Sequence, residues 1–170
     1  AASDVYKRQE KIYVLDGGKS LMLALSQDLS QNRPAEAREH VRRFHELFFG
    51  LSPQKDAIEH NINRALQLAD RSAYHYYVDF AEKGYYNRLV SGNINQVVHV
   101  DSVVCDFSGY PYKAVTHARQ LIIRESNVTE RSLVTSCELQ NASRSDDNPN
   151  GFIIEHLVIL ENRDIRSVER

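Results

Sequence analysis

The sequence feature that most restricts the fold is a polar loop that changes abruptly into a long apolar run near the end of the chain. The loop reads ASRSDDNPNG and ends at Gly151, and the run that follows reads FIIEHLVIL. Pro149 fixes its own φ and pushes Asn148 toward extended backbone, while Gly151 tolerates a positive φ that other residues avoid. Because β-branched and aromatic residues dominate the run, it predicts a strand from Phe152 to Leu160 that is entered through a specified turn.

Three more strand-like runs precede this one, so the second half of the chain is predicted to form a sheet. They span Ile94 to Phe107, Lys113 to Glu125 and Glu130 to Asn141. The first run changes its alternation phase near Asp101, which predicts a β-bulge that bends the strand. The connections between the four runs are short, and short connections favour an antiparallel meander.

The first half of the chain is predicted to be helical. A helix from Asn32 to Gly50 has a capping residue at its start, Pro34 in its first turn and a glycine at its end. Further helices are predicted to start at Ser52, Ser72 and Tyr85. Helices followed by a curved four-stranded antiparallel sheet form an α+β domain. A bent sheet wrapped around helices gives a cone, the shape of the nuclear-transport-factor-like and cystatin-like superfold.

The N-terminal segment is set apart from this predicted domain. Residues 1–9 read AASDVYKRQ, and DVYKRQ resembles translated adaptor sequence from library preparation, so we expect these residues to be non-native. Within residues 10–31, an Asp-Gly-Gly turn between alternating apolar residues predicts a hairpin from Lys11 to Leu25. The expected organisation is therefore a non-native segment, a hairpin or linker, and one α+β domain over residues 32–170.

Composition narrows the classes of function. The chain of 170 residues has a formal net charge of -2 and a pI near 6.4, so no direct nucleic-acid partner is expected. No apolar run reaches the roughly 18 residues that a membrane helix needs. Cys105 and Cys137 lie far apart without metal-type spacing, which favours free thiols in the core over a disulfide. The cysteines leave the cellular compartment open.

Catalytic and metal-binding motifs are absent from the sequence, so no catalytic residue, cofactor or metal ligand is predicted. His99 and Asp101 lie two residues apart on a predicted strand, where they share a face and could pair as a base and its orienting group. This pair carries an alternative hypothesis, a small-molecule-binding or catalytic protein that uses the interior of the cone. A weaker third hypothesis is DNA contact through Arg38, Arg42 and Arg43, although glutamates dilute that helix face.

Aromatic residues crowd into the third and fourth predicted helices. They are Tyr74, Tyr76, Tyr77, Phe80, Tyr85 and Tyr86. Aromatic residues at helical spacing are more often core, or a seam against a sheet, than a ligand site. Tyrosine also suits half-buried interfaces between proteins. We therefore interpret the cluster as a seam, with Tyr76 and Tyr85 as candidates for a contact surface.

Three segments carry a resemblance to a known family: KIYVLDGG, AYHYYVDFAEKGYYNRLV and NPNGFIIEHLVILENRDI. Through them the chain from Lys11 to Arg170 resembles the TraK proteins of bacterial conjugative transposons. TraK proteins look like the bitopic assembly-factor subunit of type IV secretion systems, which has one membrane helix and a periplasmic cone-shaped domain. The resemblance implies a structural subunit of a conjugative DNA-transfer apparatus, not an enzyme, in the inner membrane with this domain in the periplasm.

The wider family has an Asn-Pro-any-Gly loop implicated in subunit contacts. Asn148, Pro149 and Gly151 match it, and Phe152 follows. The implied partners are other subunits of the conjugation channel, a second copy in a homodimer or larger homo-oligomer, and the membrane through a helix expected before residue 10. We therefore predict that a β-branched residue in place of Gly151 weakens partner binding and transfer while leaving the fold largely intact.

Overall fold

The computed structural model describes residues 19–170, with side chains from residue 32 onward. The chain divides into two compact units, Ala1–Glu36 and Ala37–Arg170. The first helix, α1, spans Lys19–Phe49 and has residues in both units. No helix among the described residues combines the length and hydropathy needed to cross a bilayer.

Helix α1 corrects two predictions about the N-terminal region. Its residues before Asn32 are already helical and Pro34 lies inside it, so neither residue marks the helix start. An internal proline removes one backbone hydrogen bond but has a φ that a helix accepts. The part of the predicted hairpin from Lys19 to Leu25 is helical, because Leu, Met and Ala are strong helix formers. The rest of that hairpin lies outside the described residues.

Three further helices belong to the second unit: α2 (Lys55–Leu66), α3 (Arg71–Glu82) and α4 (Tyr85–Ser91). They confirm the three helices predicted downstream of Gly50. Helix α3 is capped by Asp70, whose Oδ1 accepts a hydrogen bond from the Ser72 amide at 2.9 Å. Gly84, with a φ of 75°, makes the turn between α3 and α4.

The second half of the chain forms one antiparallel sheet. Its strands are β1 (Asn95–Asp106), β2 (Tyr112–Ile123), β3 (Asn127–Asn141), β4 (Phe152–Glu161) and β5 (Asp164–Glu169). Strands β1 to β4 pair in sequence order, which confirms the meander. The register shift between Val100 and Ser102 confirms the predicted bulge. The α+β fold class is therefore confirmed, with five strands in place of the predicted four.

Strand β5 continues the edge that β4 begins. Strand β4 pairs with the second part of β3, and β5 pairs with the first part. Between them the Asn162 side chain donates to Gln120 Oε1 at 2.8 Å and to the Ser132 carbonyl at 2.9 Å. The Ser132 amide donates to the Arg163 carbonyl at 2.8 Å. These bonds hold the chain against β3, so a short, fully exposed strand forms without a buried face.

Side chains fill the space between the helices and the inner face of the sheet. The largest fully buried apolar side chains are Phe44, Phe48, Phe152, Ile62, Leu133, Leu139 and Ile154. The rings of Phe44 and Phe48 stack with centroids 5.2 Å apart. Leu139 on β3 is completely buried. These packed side chains occupy the space in which the alternative hypothesis places a ligand pocket.

The two cysteines are free thiols, as predicted. Cys105 lies on β1 and Cys137 on β3, and both pair across to Ala114 on the intervening strand β2. Because β1 and β3 are not neighbours, the thiols are separated by a whole strand. Burial raises the pKa of the Cys137 thiol to about 12, so this thiol stays protonated and packs as a small apolar group.

Candidate protein-interaction site

The loop before β4 is built around the side chain of Asn148. Its Oδ1 accepts hydrogen bonds from the Gly151 amide at 3.1 Å and the Phe152 amide at 3.4 Å. Its Nδ2 donates to the Phe152 carbonyl at 2.7 Å. Asn148 is only 7% exposed. A buried asparagine that satisfies three backbone groups fixes the shape of the loop. Its side chain therefore bonds within the loop and is not presented to solvent.

Gly151 is required by the backbone of the same loop. Its φ is 69°, in the left-handed region that favours glycine. A Cβ at this position lies 2.9 Å from the Ala142 carbonyl oxygen and 2.9 Å from Arg144 Cγ. The Gly151 carbonyl also accepts a hydrogen bond from the Ala142 amide at 2.9 Å. Any larger residue therefore strains the loop directly.

Replacing Gly151 with alanine is expected to lower the free energy of unfolding by about 1–3 kcal/mol, because both the positive φ and the close carbonyl oppose a Cβ. This changes the expectation that a β-branched residue leaves the fold largely intact, since such a residue meets the same obstruction. Urea denaturation measures the difference. Gly109→Ala is the matched control, because no atom beyond its two chain neighbours lies within 4 Å of its added Cβ. Equal midpoints for the two variants contradict the argument.

The loop presents few of its predicted interaction residues to solvent. Pro149 is exposed and Asn150 is half-buried. Phe152 is completely buried, so it supports the loop from the core. The surface that a partner can touch is therefore centred on Pro149 and Asn150, and the contact role of all these residues stays a prediction.

A cleft of about 260 Å³ lies beside this loop. Its lining residues are His40, Arg43, Leu47, Arg64, Gln67, Leu68, Asp146, Asp147, Pro149 and Asn150. Helices α1 and α2 supply the two arginines, and the loop supplies the two aspartates. No local sequence pattern connects these residues, so sequence analysis did not find the cleft.

Tyr76 of α3 and Tyr85 of α4 connect these helices to the sheet through hydrogen bonds. The Tyr76 hydroxyl accepts a hydrogen bond from the Ile159 amide of β4 at 3.0 Å. The Tyr85 hydroxyl donates to Gln96 Oε1 on β1, and Gln96 Nε2 donates to the Phe49 carbonyl at 2.7 Å. Both tyrosines pack against the core and are half-buried. The seam interpretation is confirmed for these two residues but is wrong for Tyr74, which is 51% exposed. The part of Tyr76 and Tyr85 in partner contact stays a prediction.

His99 and Asp101 lie on the outer face of the sheet, away from the helices. The His99 side chain is 68% exposed, and its Nε2 lies 3.5 Å from Asp101 Oδ1. The prediction that this pair faces the interior is wrong, because Val98 and Val100 take the inward positions of β1. Neither of the two cavities identified in the described chain includes the pair.

Asp101 belongs to a ladder of charges across the sheet. Arg119 Nη2 and Nε donate to its carboxylate at 2.9 and 3.1 Å, and this pairing lowers the pKa of Asp101. Arg119 also lies 3.7 Å from Glu130, which accepts from Arg166 at 2.7 Å. A carboxylate held by arginine on an open face is a structural group, and this weakens the catalytic alternative.

Arg42 and Arg43 of α1 have different surroundings. Arg42 donates to Glu39 at 2.7 Å, whereas Arg43 lines the cleft beside the loop. DNA contact requires clustered cationic groups on one surface, so this arrangement gives the third hypothesis no support.

One group of potential metal ligands occurs in the described residues. Ligand atoms of Glu138, Glu155 and His156 lie within 4.8 Å of one another. His156 is 72% exposed, and its Nδ1 is 3.0 Å from Glu138 Oε2. This contact raises the pKa of His156, which favours the protonated imidazole over a metal ligand. We assign no metal to the group.

Comparison with known proteins finds no matching family model and no matching curated protein. Solved structures do match. The VirB8 protein of Agrobacterium tumefaciens has a TM-score of 0.62 at 9% identity and covers 82% of this chain and 94% of its own. The soluble domain of TrwG from the type IV secretion machinery of Bartonella grahamii has a TM-score of 0.57 at 14% identity. This match covers 74% of the present chain and 92% of the TrwG domain.

A third structure, CagV of Helicobacter pylori, described as a VirB8 homolog of the type IV secretion system, has a TM-score of 0.55 at 14% identity. It covers 78% of this chain and 99% of its own. Identities this low establish the fold alone. The chain therefore has the α+β fold of VirB8-like proteins, the nuclear-transport-factor-like cone that its sequence predicts.

Proposed function

We propose that this chain is a subunit of a type IV secretion system that acts through protein contacts and has no enzymatic activity. The observation that carries the proposal is the match to three secretion proteins over 74–82% of this chain and 92–99% of theirs. The filled interior supports a scaffold, because the core contains packed phenylalanines where a substrate pocket would have to lie. The exposed position of His99 and Asp101 removes the main feature in favour of a catalyst.

The finer proposal is a TraK-like subunit of a conjugative DNA-transfer apparatus. It is supported by the three segments that resemble TraK proteins of conjugative transposons. In this proposal the domain lies in the periplasm and belongs to a subunit that is anchored in the inner membrane. Its partners are other channel subunits and further copies of itself.

The surface proposed to make these contacts is the tip of the loop before β4. Pro149 and Asn150 are accessible there, while Asn148 and Gly151 hold the backbone in one shape. A loop fixed by internal hydrogen bonds loses little conformational entropy on binding, which favours its use as a contact surface.

Substitution of Asn150 by arginine tests this function. The variant adds a long charged side chain at the loop tip while keeping Pro149, Gly151 and the asparagine that builds the loop. We expect the affinity for channel subunits to fall by about tenfold or more, equivalent to about 1.4 kcal/mol, and conjugative transfer from the source strain to fall with it. Co-purification of channel subunits with the tagged protein is expected to fall in parallel.

The matched control is Gly109→Arg in the turn between β1 and β2, where an added side chain meets open space. This variant should transfer DNA at the unmodified frequency. Normal transfer by the Asn150 variant, with normal expression, removes the loop from the proposed function.

A further inference from the structure

We infer that the cleft beside the loop binds a segment of a partner chain that presents a carboxylate and a cationic side chain side by side. The inference rests on the proposed function and names the chemistry of the partner at the same surface. The cleft is continuous with the loop tip, because Pro149 and Asn150 also line it. A partner that contacts the tip therefore reaches the cleft without a separate binding event.

The charges of the cleft are separated by sign. Arg43 of α1 and Arg64 of α2 are on its helical side, and Asp146 and Asp147 are on its loop side. Within the part of the chain that the structure describes, none of these four side chains has an ion-pair partner within 4.0 Å. Other arginines do pair, as Arg42 does with Glu39. The cleft therefore retains two positive and two negative groups for an incoming chain.

The size of the cleft selects side chains over small molecules. Its volume of about 260 Å³ is below the roughly 300–1,000 Å³ of small-molecule pockets. Leu47 and Leu68 contribute apolar atoms to the lining. The buried His40 ring also lines the cleft, and its Nε2 lies 3.1 Å from the Leu68 carbonyl. Glutamate and lysine side chains combine methylene stems with charged ends, so one or two of them suit such a lining.

The arrangement of charges in the cleft favours a bound segment that carries one acidic and one basic group. A purely acidic segment pairs with the two arginines but is repelled by Asp146 and Asp147. A purely basic segment pairs with the two aspartates but is repelled by Arg43 and Arg64. A segment with one group of each sign pairs with both sides. In an extended chain, residues two apart point to the same side, so an acid-any-base pattern presents both groups together.

Amide and arginine-side-chain NMR shifts of the isotope-labelled protein test this inference with capped pentapeptides of sequence AEAKA, AEAEA and AKAKA. We expect AEAKA to shift the resonances of Arg43, Arg64, Asp146 and Asp147 in a saturable way. Its dissociation constant should be at least threefold lower than that of either other peptide. Raising the ionic strength from about 0.05 M to about 0.5 M should weaken binding, because exposed ion pairs are screened.

Variants separate the cleft from general surface charge. Arg43→Glu with Arg64→Glu should remove AEAKA binding, and so should Asp146→Lys with Asp147→Lys. Arg42→Glu is the matched control on the same helix and should bind AEAKA normally. Equal binding of AEAEA and AEAKA, or binding of AEAKA that survives both double variants, overturns the inference. Shifts at these residues that grow with protein concentration before any peptide is added show that a second copy occupies the cleft, and this too overturns it.

Peptide binding by the unmodified protein and DNA transfer by the Asn150→Arg variant distinguish the cleft from the loop tip. If Asn150→Arg abolishes transfer while AEAKA never binds the unmodified protein, the loop function stands and the cleft inference fails. If AEAKA binds as expected while Asn150→Arg transfers normally, the cleft is a binding site but the loop tip is not the proposed contact.

Discussion

Replacing Phe152 with alanine is expected to lower the free energy of unfolding by about 3–5 kcal/mol, the usual range for removing a large buried aromatic side chain. Phe152 has no solvent-exposed surface. Its ring meets the His40 ring edge-on, with centroids 5.8 Å apart. The side chain is the first of β4, so a cavity there loosens the junction between strand and loop as well as the core.

Chemical denaturation of the purified domain measures this loss. Phe152→Leu, which keeps most of the apolar volume, should lose less than about 1.5 kcal/mol. Val158→Ala, on the same strand but with 44% of the valine exposed, controls for a truncation on β4 outside the core. If Phe152→Ala unfolds at the same denaturant concentration as Val158→Ala, the ring does not support the loop, and Phe152 returns as a candidate for direct contact with partners.

The strands that face the core were predictable because one face of each must be apolar. The alternation of β1, including its phase change at Asp101, predicts both the strand and its bulge. Strand β5 has no such signal, because every residue from Asp164 to Glu169 is exposed. Its position depends on Asn162, which bonds to two other strands, and no local pattern in the sequence reports contacts of that kind.

The sequence predicts the position of the loop but not which of its residues are buried and which are exposed. Asn148, Pro149 and Gly151 are all turn-forming types, and only the three-dimensional structure shows that Asn148 is buried and Pro149 is exposed. The cleft could not be predicted from the sequence for a similar reason. Arg43 and Asp146 are far apart in the sequence, and they come together only after the helices and the sheet have packed.

Helix α1 contributes His45, a buried histidine whose titration makes the stability of the domain depend on pH in the acidic range. His45 has no exposed surface. Its Nδ1 is 2.7 Å from the Val41 carbonyl, which can only accept, so Nδ1 carries the proton. Its Nε2, 2.7 Å from Thr135 Oγ1, then accepts from the Thr135 hydroxyl. Both ring nitrogens are thus satisfied in the neutral form, and a second ring proton has to displace the Thr135 bond.

Burial lowers the pKa of His45 from 6.5 to about 4. Because the unfolded chain takes up this proton at a higher pH than the folded chain, the folded state loses stability as pH falls from 6.5 to 4. Above pH 6.5 neither state carries the proton, and below pH 4 both do, so the contribution changes only inside this window. At 1.36 kcal/mol per unit of pKa difference, the loss across the window is about 3 kcal/mol.

Urea denaturation at a series of pH values between about 7 and 4 measures this loss, and His45→Gln should flatten it because glutamine does not titrate. The variant is also expected to be less stable at pH 7, since glutamine reaches Val41 and Thr135 less well. His60→Gln is the matched control, because His60 is exposed on α2, and it should keep the full pH dependence. If His45→Gln loses as much stability on acidification as the unmodified protein, the acid sensitivity comes from the carboxylates. The bond between α1 and β3 then plays no part in the response of the domain to pH.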